Sequence, residues 1–501
     1  MRSVSLLVAA AAVLAAGGPL RAQSCDCNAT FEQVTTLVRQ NYSGWQDKVA
    51  RIGRDSLDHV STRMRARAGA ARTDQECARS IQEWMAFFED GHLGASYDPP
   101  SGGSGGQARE PDAVVRARFA GWRRVRLSEA EAAAYLDANR ARLDPAEGIW
   151  QGVGAPYRLA IVRQGGELIA SVLKADSVWW TPGQVKAVLL PAGEGGYAAR
   201  FYMRDHGEQR WRARVQRNVL SFDGATYLRT YPRAPGDVSA EQLEMESNSA
   251  FRFRRLGDST VLVQVPSMDH VRKAELDSLI HTHRAEILAT PNLVIDVRGN
   301  GGGSDVTYEA LSPLLFTDTV RSVSASFFAS PLNIANVAKL ASDTTLPASV
   351  RSIVSALLPK LRAHPGEFVS MGEDEKLAYD TVYPLPRRVA VVVDRGCASS
   401  CEQFLLEARQ SRKVTIYGEN SAGVLDYSNV FDVPTVCPVL VARLPTTRSN
   451  RLPGNPIDPG GIAPNVRLPA GEVLPLEWVR GRLETPNRSD GSEEHGRRIV
   501  R

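Results

Sequence analysis

The chain has 501 residues, of which 43% are hydrophobic and 23% are charged, as is typical of a globular protein with about two to four domains. Its formal net charge of +4 is too small to indicate nucleic acid or an anionic membrane as a partner. Beyond the N-terminus, no run of about 18 apolar residues predicts a transmembrane segment.

The pattern of residues 1–22 predicts a secretory signal peptide. The charged residue Arg2 precedes an apolar stretch at 4–16, and Ala22 ends a cleavage site before Gln23. We therefore expect export to the periplasm or the extracellular space. An outer-membrane lipoprotein anchored through Cys25 is a minor alternative, because residues 22–25 match the lipobox poorly.

Helical spacing predicts an N-terminal helical subdomain at 23–98. A Gly/Ser-rich linker at 99–110 and a helical connector at 111–147 follow it. Short alternating segments separated by glycine turns then predict an antiparallel β module at 148–235, either a sandwich or a barrel. Its expected strands are 157–162, 168–173, 184–189, 197–202 and 211–215.

Between residues 250 and 482 the pattern becomes α/β. The expected strands are 261–265, 293–297, 389–393 and 414–417. The expected helices are 273–288, 308–315 and 400–409. Residues 483–501 form a polar tail whose composition predicts disorder.

In an oxidising compartment the cysteines are disulfide candidates, and six of them allow fifteen pairings. They are Cys25, Cys27, Cys77, Cys397, Cys401 and Cys437. We expect one bridge from Cys25 or Cys27 to Cys77 and a second from Cys437 to Cys397 or Cys401, with two cysteines left over. A zinc site is the alternative, but the cysteine spacing without a nearby set of histidines argues against a metal.

Ser399 lies where an apolar strand passes through a tight glycine turn directly into a helix. Backbone N–H groups without intrahelical partners and the positive end of the helix dipole would stabilise an alkoxide or oxyanion there. The alternative is that Ser399 and Ser400 only cap the helix, with Glu402 completing a capping box.

The glycine-rich loop at 296–303 follows another buried strand. It lacks the Lys-Ser/Thr pair of a P-loop and the features of a dinucleotide fingerprint, which argues against nucleotide binding. Consecutive glycines bring backbone N–H groups close to a ligand, as an oxyanion hole requires. We expect that hole to use the N–H of Ser400 and one from Gly301 or Gly302, on a loop braced by Arg298 and Asn300.

Four motifs, taken in chain order, resemble the S41 serine peptidases, which include C-terminal-processing and tricorn-like proteases. They are Asp-Gly-His at 90–92, Asp-x-Arg-x-Asn-Gly-Gly at 296–302, Gly-x-Ala-Ser-x-x-Glu at 396–402 and the segment 457–466. The resemblance implies an S41 (ClpP/crotonase-like) α/β core with an N-terminal helical subdomain and an inserted antiparallel β module. That module, at 148–235, lacks the carboxylate-binding loop of a PDZ domain.

The same resemblance implies which residues carry the chemistry. In the Ser–Lys branch a lysine follows the serine by about 25 residues, but this chain has Val424 there. The resemblance therefore points to the histidine-containing branch, with Ser399 as nucleophile, His92 as base and Asp458 as the carboxylate that orients the base. Asp458 is one methylene shorter than the family glutamate. The alternatives are a histidine that only ends a helix and an aspartate that only turns the chain.

These residues imply a secreted or periplasmic serine endopeptidase that hydrolyses a protein or peptide substrate through an acyl-enzyme, without a cofactor. The sequence is also compatible with homo-oligomerisation. The alternative function is a non-catalytic S41-like protein that binds a ligand or peptide, which the missing lysine and the shortened carboxylate at 458 allow.

Overall fold

The computed structural model describes residues 25–98, 111–176, 178–193, 195–345 and 348–485. The predicted signal peptide, the predicted linker at 99–110 and the tail from residue 486 lie outside these ranges. Among the helices within them, none is long and apolar enough to cross a membrane.

The α-helices, in chain order, are α1 (Cys27–Asn41), α2 (Trp45–Ile52), α3 (Arg54–Gly69), α4 (Asp74–Ala86), α5 (Asp112–Arg118), α6 (Glu129–Ala138), α7 (Ala240–Met245), α8 (Lys273–Ala289), α9 (Ser312–Leu315), α10 (Pro331–Ser342), α11 (Ala348–Ala363), α12 (Ser400–Ala408) and α13 (Pro475–Glu484). Short 3₁₀ turns lie at Arg140–Arg142, His270–Arg272 and Asp305–Tyr308.

The β-strands are β1 (Gly94–Tyr97), β2 (Gly148–Gly152), β3 (Arg158–Gln164), β4 (Glu167–Lys174), β5 (Val185–Pro191), β6 (Gly196–Tyr202), β7 (Glu208–Gln216), β8 (Val219–Phe222), β9 (Ala225–Tyr231), β10 (Arg252–Gly257), β11 (Thr260–Gln264), β12 (Asn292–Asp296), β13 (Val320–Ser322), β14 (Ala325–Phe328), β15 (Phe368–Ser370), β16 (Glu375–Leu377), β17 (Arg388–Val393), β18 (Val414–Gly418), β19 (Tyr427–Pro434), β20 (Leu440–Ser449) and β21 (Val466–Arg467).

The chain divides into two compact units that interleave along the sequence. The first unit combines Met1–Ser101 with Val323–Asp374 and Asp426–Pro459, and the second contains Gly102–Ser322, Glu375–Leu425 and Gly460–Arg501. Two segments of the region 250–482, expected as one continuous core, therefore belong to the same unit as the N-terminal helices. Strand pairing explains this division, because β1 forms an antiparallel pair with β20.

The first unit contains helices α1–α4 and a five-stranded antiparallel sheet in the order β1-β20-β14-β15, with β19 also paired to β20. Phe31, Val34, Ile81 and Trp84 project from α1 and α4 into its buried core. Burial of such a continuous apolar stripe is the main stabilisation that an amphipathic helix provides. The predicted N-terminal helices are thus present, but they share their core with strands far along the chain.

All six cysteines are paired, which corrects part of the expected pattern. Cys27 bonds Cys77 as one of the two expected choices, whereas Cys25 bonds Cys437 and Cys397 bonds Cys401. The expected bridge from Cys437 to the Ser399 turn and the two leftover cysteines were therefore wrong. Cys397 and Cys401 lie on either side of the strand-to-helix turn, which brings their Cα atoms to 5.4 Å, and the Cα atoms of Cys25 and Cys437 lie 4.8 Å apart.

The second unit begins with a closed eight-stranded barrel formed by β2–β9. Every strand expected in this module is present, while β2, β8 and β9 were not predicted. Buried side chains such as Trp150, Leu159, Leu168 and Phe201 fill the interior. Closure removes the free sheet edges that an open module would expose.

The remainder of the second unit is built on a six-stranded sheet in the order β10-β11-β12-β17-β18-β21. All neighbouring pairs are parallel except β10–β11. Strands β11, β12 and β17 are apolar and buried, as parallel strands covered on both faces usually are. The structure thus confirms the α/β class and places the ends of β12 and β17, which precede the glycine loop and Ser399, side by side.

The helix expected at 308–315 differs from the prediction. The chain there forms a 3₁₀ turn at Asp305–Tyr308 and then the single helical turn α9, which has proline in its first turn. Pro313 lacks an N–H donor, so it favours a helix start over continuation of a helix from Tyr308.

Candidate active site

Ser399 occupies a strained turn between β17 and α12. Its backbone has φ of 57° and ψ of −123°, in the left-handed half of conformational space that non-glycine residues seldom adopt. Its N–H donates to the carbonyl of Val424 at 3.0 Å and to the Glu402 carboxylate at 3.2 Å. A strained strand-to-helix turn of this kind presents a nucleophilic side chain above the sheet edge.

Glu402 anchors this turn from inside the protein. Its buried carboxylate accepts hydrogen bonds from the Ser421 hydroxyl at 2.6 Å and from the N–H groups of Gly423 and Val424, both at 2.8 Å. This residue therefore joins the loop at 421–424 to the helix start. Val424 therefore lies beside Ser399. This apolar residue occupies the position at which the Ser–Lys branch carries its lysine.

The glycine loop packs directly against the Ser399 turn. Asp394 accepts hydrogen bonds from Gly299 N–H at 2.8 Å and Gly396 N–H at 2.9 Å. A Cβ atom added to Gly302 would lie only 2.8 Å from Ser399 Cβ and 3.0 Å from the backbone nitrogen of Ser400. Of the predicted oxyanion-hole residues, Gly302 and Ser400 thus lie together at the serine, and Gly301 precedes Gly302 in the same loop.

The N–H groups of this cluster differ in their availability. Gly302 N–H donates to the side-chain oxygen of Asn300 at 2.9 Å. In the described part of the chain, the N–H groups of Gly301 and Ser400 meet no hydrogen-bond acceptor. Of the two glycine candidates, Gly301 therefore has the N–H group that can point to a substrate oxygen.

Two side chains brace the glycine loop, in the roles expected for them. The Arg298 guanidinium donates two bonds of 2.8 Å to the buried Asp296 and a third of 2.7 Å to the Glu246 carbonyl. The Asn300 amide donates to the carbonyl of Val265 at 2.9 Å. Bidentate pairing of a guanidinium with a carboxylate fixes geometry as well as charge.

Asp305 adds a carboxyl group beside Ser400, which the sequence did not single out. The Ser400 side chain hydrogen-bonds to it. The protein packed around Asp305 raises the pKa of its carboxyl, the bond from Ser400 opposes that shift, and Glu407 and Glu375 add to it. By its solvent-accessible surface Asp305 is exposed, so the observation that carries weight is its hydrogen bond with Ser400 at the start of α12.

His92 lies in the first unit, in the turn that joins α4 to β1. Its backbone N–H donates to Asp90 Oδ1 at 2.9 Å, and Asp90 Oδ2 accepts a hydrogen bond from the Tyr42 hydroxyl at 2.6 Å. Asp90 is buried, and desolvation raises the pKa of its carboxyl against the opposing effects of Tyr42, Lys48 and His92. Asp90 therefore fixes the turn that carries His92, a role that its position two residues before the histidine could have indicated.

The His92 ring is oriented by a backbone group. Its Nδ1 lies 2.7 Å from the carbonyl oxygen of Tyr427, an acceptor only, so Nδ1 carries the proton and donates. The other ring nitrogen, Nε2, is then the unprotonated one in the neutral ring, as a general base requires. A carbonyl partner carries no side-chain signature, so this contact could not be predicted from the residue types.

Asp458 lies in the first unit with His92. Its Oδ1 accepts the N–H of Asp426 at 3.1 Å, and Asp426 Oδ2 accepts the N–H of Asp458 at 3.0 Å. The adjacent residues Asp426 and Tyr427 thus contact Asp458 and His92 respectively. The nearby Lys48 is buried, and desolvation lowers the pKa of its ammonium while Asp90 and Asp458 oppose that shift.

The candidate residues thus form two groups. Ser399, Ser400, Gly301 and Gly302 belong to the second unit, and His92 and Asp458 to the first. Within the described ranges, no group of three His, Cys, Asp or Glu side chains is arranged to hold a metal ion.

Residues 259–468 match the family model described as Peptidase family S41. Among curated proteins, no sequence matches this chain. Three similar solved structures are mature CPAF complexed with lactacystin (12% identity, TM-score 0.48, 91% of this chain and 97% of that chain), the photosystem II D1 C-terminal processing protease (12%, 0.37, 91% and 97%) and the tricorn protease (11%, 0.38, 91% and 35%).

Proposed function

We propose that this chain, whose residues 259–468 match the S41 peptidase family model, is an exported serine endopeptidase. The observation that carries the proposal is the Ser399 turn, which combines a left-handed backbone, a Ser400 N–H group with no acceptor among the described residues, and a glycine loop packed against the turn at Gly302. A helix cap requires neither the strained backbone nor a glycine loop packed against it.

In the proposed reaction, the Ser399 hydroxyl attacks the carbonyl carbon of a peptide bond while His92 Nε2 takes its proton. The negative oxygen that forms is held by the N–H groups of Ser400 and Gly301. His92 returns the proton to the leaving amine, which leaves an acyl group on Ser399. Water then attacks that ester with His92 again as base. His92 passes the proton to the Ser399 oxygen as the ester bond breaks, and the acid product leaves.

Two groups support His92 in this proposal. The Tyr427 carbonyl holds Nδ1–H and so selects the tautomer with a basic Nε2. Asp458 supplies a negative charge that favours the imidazolium, the role the family glutamate has by resemblance. The Tyr427 carbonyl already orients the ring. Asp458, although one methylene shorter than the family glutamate, can therefore serve through its charge without a direct contact to His92.

The test compares cleavage of casein by the wild-type protein and by Ser399→Ala. We expect the substitution to lower turnover by about a thousandfold or more, because no other group can form the acyl-enzyme. Ser342→Ala is the control, since this serine lies on α10 and donates only to a carbonyl of its own helix. Turnover by Ser399→Ala equal to that of the wild type would refute the proposal.

A second candidate function is binding of a peptide without cleavage. It is favoured by Val424 beside Ser399 and by aspartate at position 458 in place of the family glutamate. Under this alternative, peptides bind equally well to the wild type and to Ser399→Ala, and neither protein hydrolyses them.

A further inference from the structure

A cavity rich in positive charge lies in the second unit and takes no part in the proposed reaction. It has a volume of about 350 Å³, and its cationic lining residues are Arg387, Arg388, Arg412, Lys413 and Arg482. We name it the basic cavity. Among the described residues that line it, none is acidic, and the five cations form no ion pair with any described carboxylate.

The positive groups are held in place by neutral partners. Arg388 donates through Nε to the side-chain oxygen of Asn292 at 3.1 Å. The Lys413 ammonium donates to the Tyr383 carbonyl. Each of these bonds positions a cation without neutralising it, so the positive charge of the cavity is preserved and the side chains are partly preorganised.

Tyr417 lines the cavity together with Arg388 and Arg482. Burial raises the pKa of the Tyr417 hydroxyl, and the positive charges of Arg482 and Arg388 oppose that shift. The Arg482 guanidinium also lies 4.8 Å from the centre of the Trp478 ring. Stacking on an aromatic face restrains a guanidinium while leaving its N–H edge available to an anion.

The basic cavity lies at the edge of the sheet opposite the nucleophile. Arg388 is the first residue of β17, whereas Ser399 follows the other end of that strand, and a strand of this length spans roughly 17–20 Å. An anion in the basic cavity would therefore not contact Ser399. This site does not depend on the proposed peptidase function.

We propose that the basic cavity binds an anion that carries two or more phosphate groups. Arginine presents a planar fork of donors that matches phosphate oxygens, and four of the five cations are arginines. A phosphate group carries a charge of about −1.5 to −2 at neutral pH, so two or three groups balance five cations. Carboxylates would need about five groups in the same volume to give that balance.

The experiment is calorimetric titration of the full-length protein with inorganic tripolyphosphate at low salt. We expect saturable binding that weakens by about tenfold or more in Arg387→Glu and in Arg412→Glu, since each change replaces a cation by an anion. Arg210→Glu is the matched control, because Arg210 lies on the barrel surface with its side chain 90% exposed. Thermal unfolding of each variant verifies that the fold is retained.

A parallel arm distinguishes a free oligophosphate from the phosphates of a lipid surface. Vesicles of cardiolipin, a lipid with two phosphate groups, are sedimented with the same four proteins. Binding to either probe that is lost in Arg387→Glu and Arg412→Glu but kept in Arg210→Glu supports the proposal and identifies the source. Absence of binding to both probes, or equal binding by all four proteins, overturns it.

Discussion

At the scale of single residues, the Ser399 turn balances backbone strain against buried hydrogen bonds. A left-handed backbone at a residue with a Cβ atom costs about 1–3 kcal/mol. Glu402 offsets that cost, because it accepts the N–H of Ser399 and holds the facing loop through Ser421, Gly423 and Val424. The strain is thus maintained by the surroundings, as is usual for residues whose geometry serves a function.

Gly302 makes this packing testable. In Gly302→Ala the new methyl group would meet the Ala398 carbonyl at 2.5 Å and Ser399 Cβ at 2.8 Å, with φ at +90°. We expect casein cleavage to fall by about a hundredfold or more and stability to fall by about 1–3 kcal/mol. The control is Gly301→Ala, which has no neighbour within 4 Å and keeps its N–H. Equal activity in the two variants would contradict this packing.

Lys186 is buried in the barrel without a carboxylate partner in contact. Its ammonium lies 4.1 Å from the ring centre of Trp180, 4.8 Å from that of Tyr157 and 4.9 Å from that of Phe201. His206 stacks on Trp180 at 3.9 Å between ring centres. Desolvation lowers the pKa of Lys186 to about 7, with Asp176 and Asp205 opposing the shift.

This burial makes stability depend on pH. The unfolded chain binds more protons than the folded one between about pH 7 and the ordinary lysine pKa near 10, so stability rises with pH across that window. Lys186→Met should remove this slope and stabilise the protein below pH 7 by a few kcal/mol, less the cation–π energy lost. Thermal unfolding at pH 6 and pH 9 measures it, with the exposed Lys174→Met as control. A wild-type slope retained in Lys186→Met would refute this account.

The candidate catalytic residues were easier to identify from the sequence than the groups that hold them in place. Ser399, Ser400 and the glycines lie at strand ends that the apolar pattern predicts, so their convergence was foreseeable. The contact of the Tyr427 carbonyl with His92 was not, because a backbone acceptor leaves no mark in side-chain chemistry. Asp305 was also missed, since its effect depends on a 3₁₀ turn that sequence periodicity does not define.

At the scale of elements, the apolar pattern located four strands of the α/β sheet, β11, β12, β17 and β18, and missed β10 and β21. In the barrel it missed β2, β8 and β9. These strands pair with neighbours around a closed ring, and β2 pairs with β9 at opposite ends of the barrel sequence. Closure is a property of the whole module, which explains why the sequence left a sandwich and a barrel open.

The disulfides differ in the length of chain they close, which predicts an order of stabilities. Replacing Cys397 and Cys401 by serine opens a loop of a few residues and should cost about 2 kcal/mol or less. The same change at Cys25 and Cys437, which are separated by 412 residues, should cost about 6 kcal/mol by the chain-entropy relation. Urea denaturation of the two double variants compares them, and the reverse order would contradict the chain-entropy explanation.

At the scale of the whole molecule, the chain returns twice to the unit that contains its N-terminal helices. Gly94 pairs with Arg443 in the sheet, and Cys25 bonds Cys437. Pairing over such distances has no local signal, so the continuous core expected at 250–482 could not be divided correctly from the sequence. The same long-range path brings residues 426–458 into the unit of His92.

If Ser399 is an activated nucleophile, a fluorophosphonate probe should react with it in the folded protein. We predict that the folded wild-type protein is labelled at Ser399, as mapped by peptide mass spectrometry, and that heat-unfolded protein is not. His92→Ala should lower the labelling rate by about a hundredfold or more, since the base that takes the proton is lost. Absence of labelling at Ser399 in the folded wild-type protein would show that this serine is not an activated nucleophile.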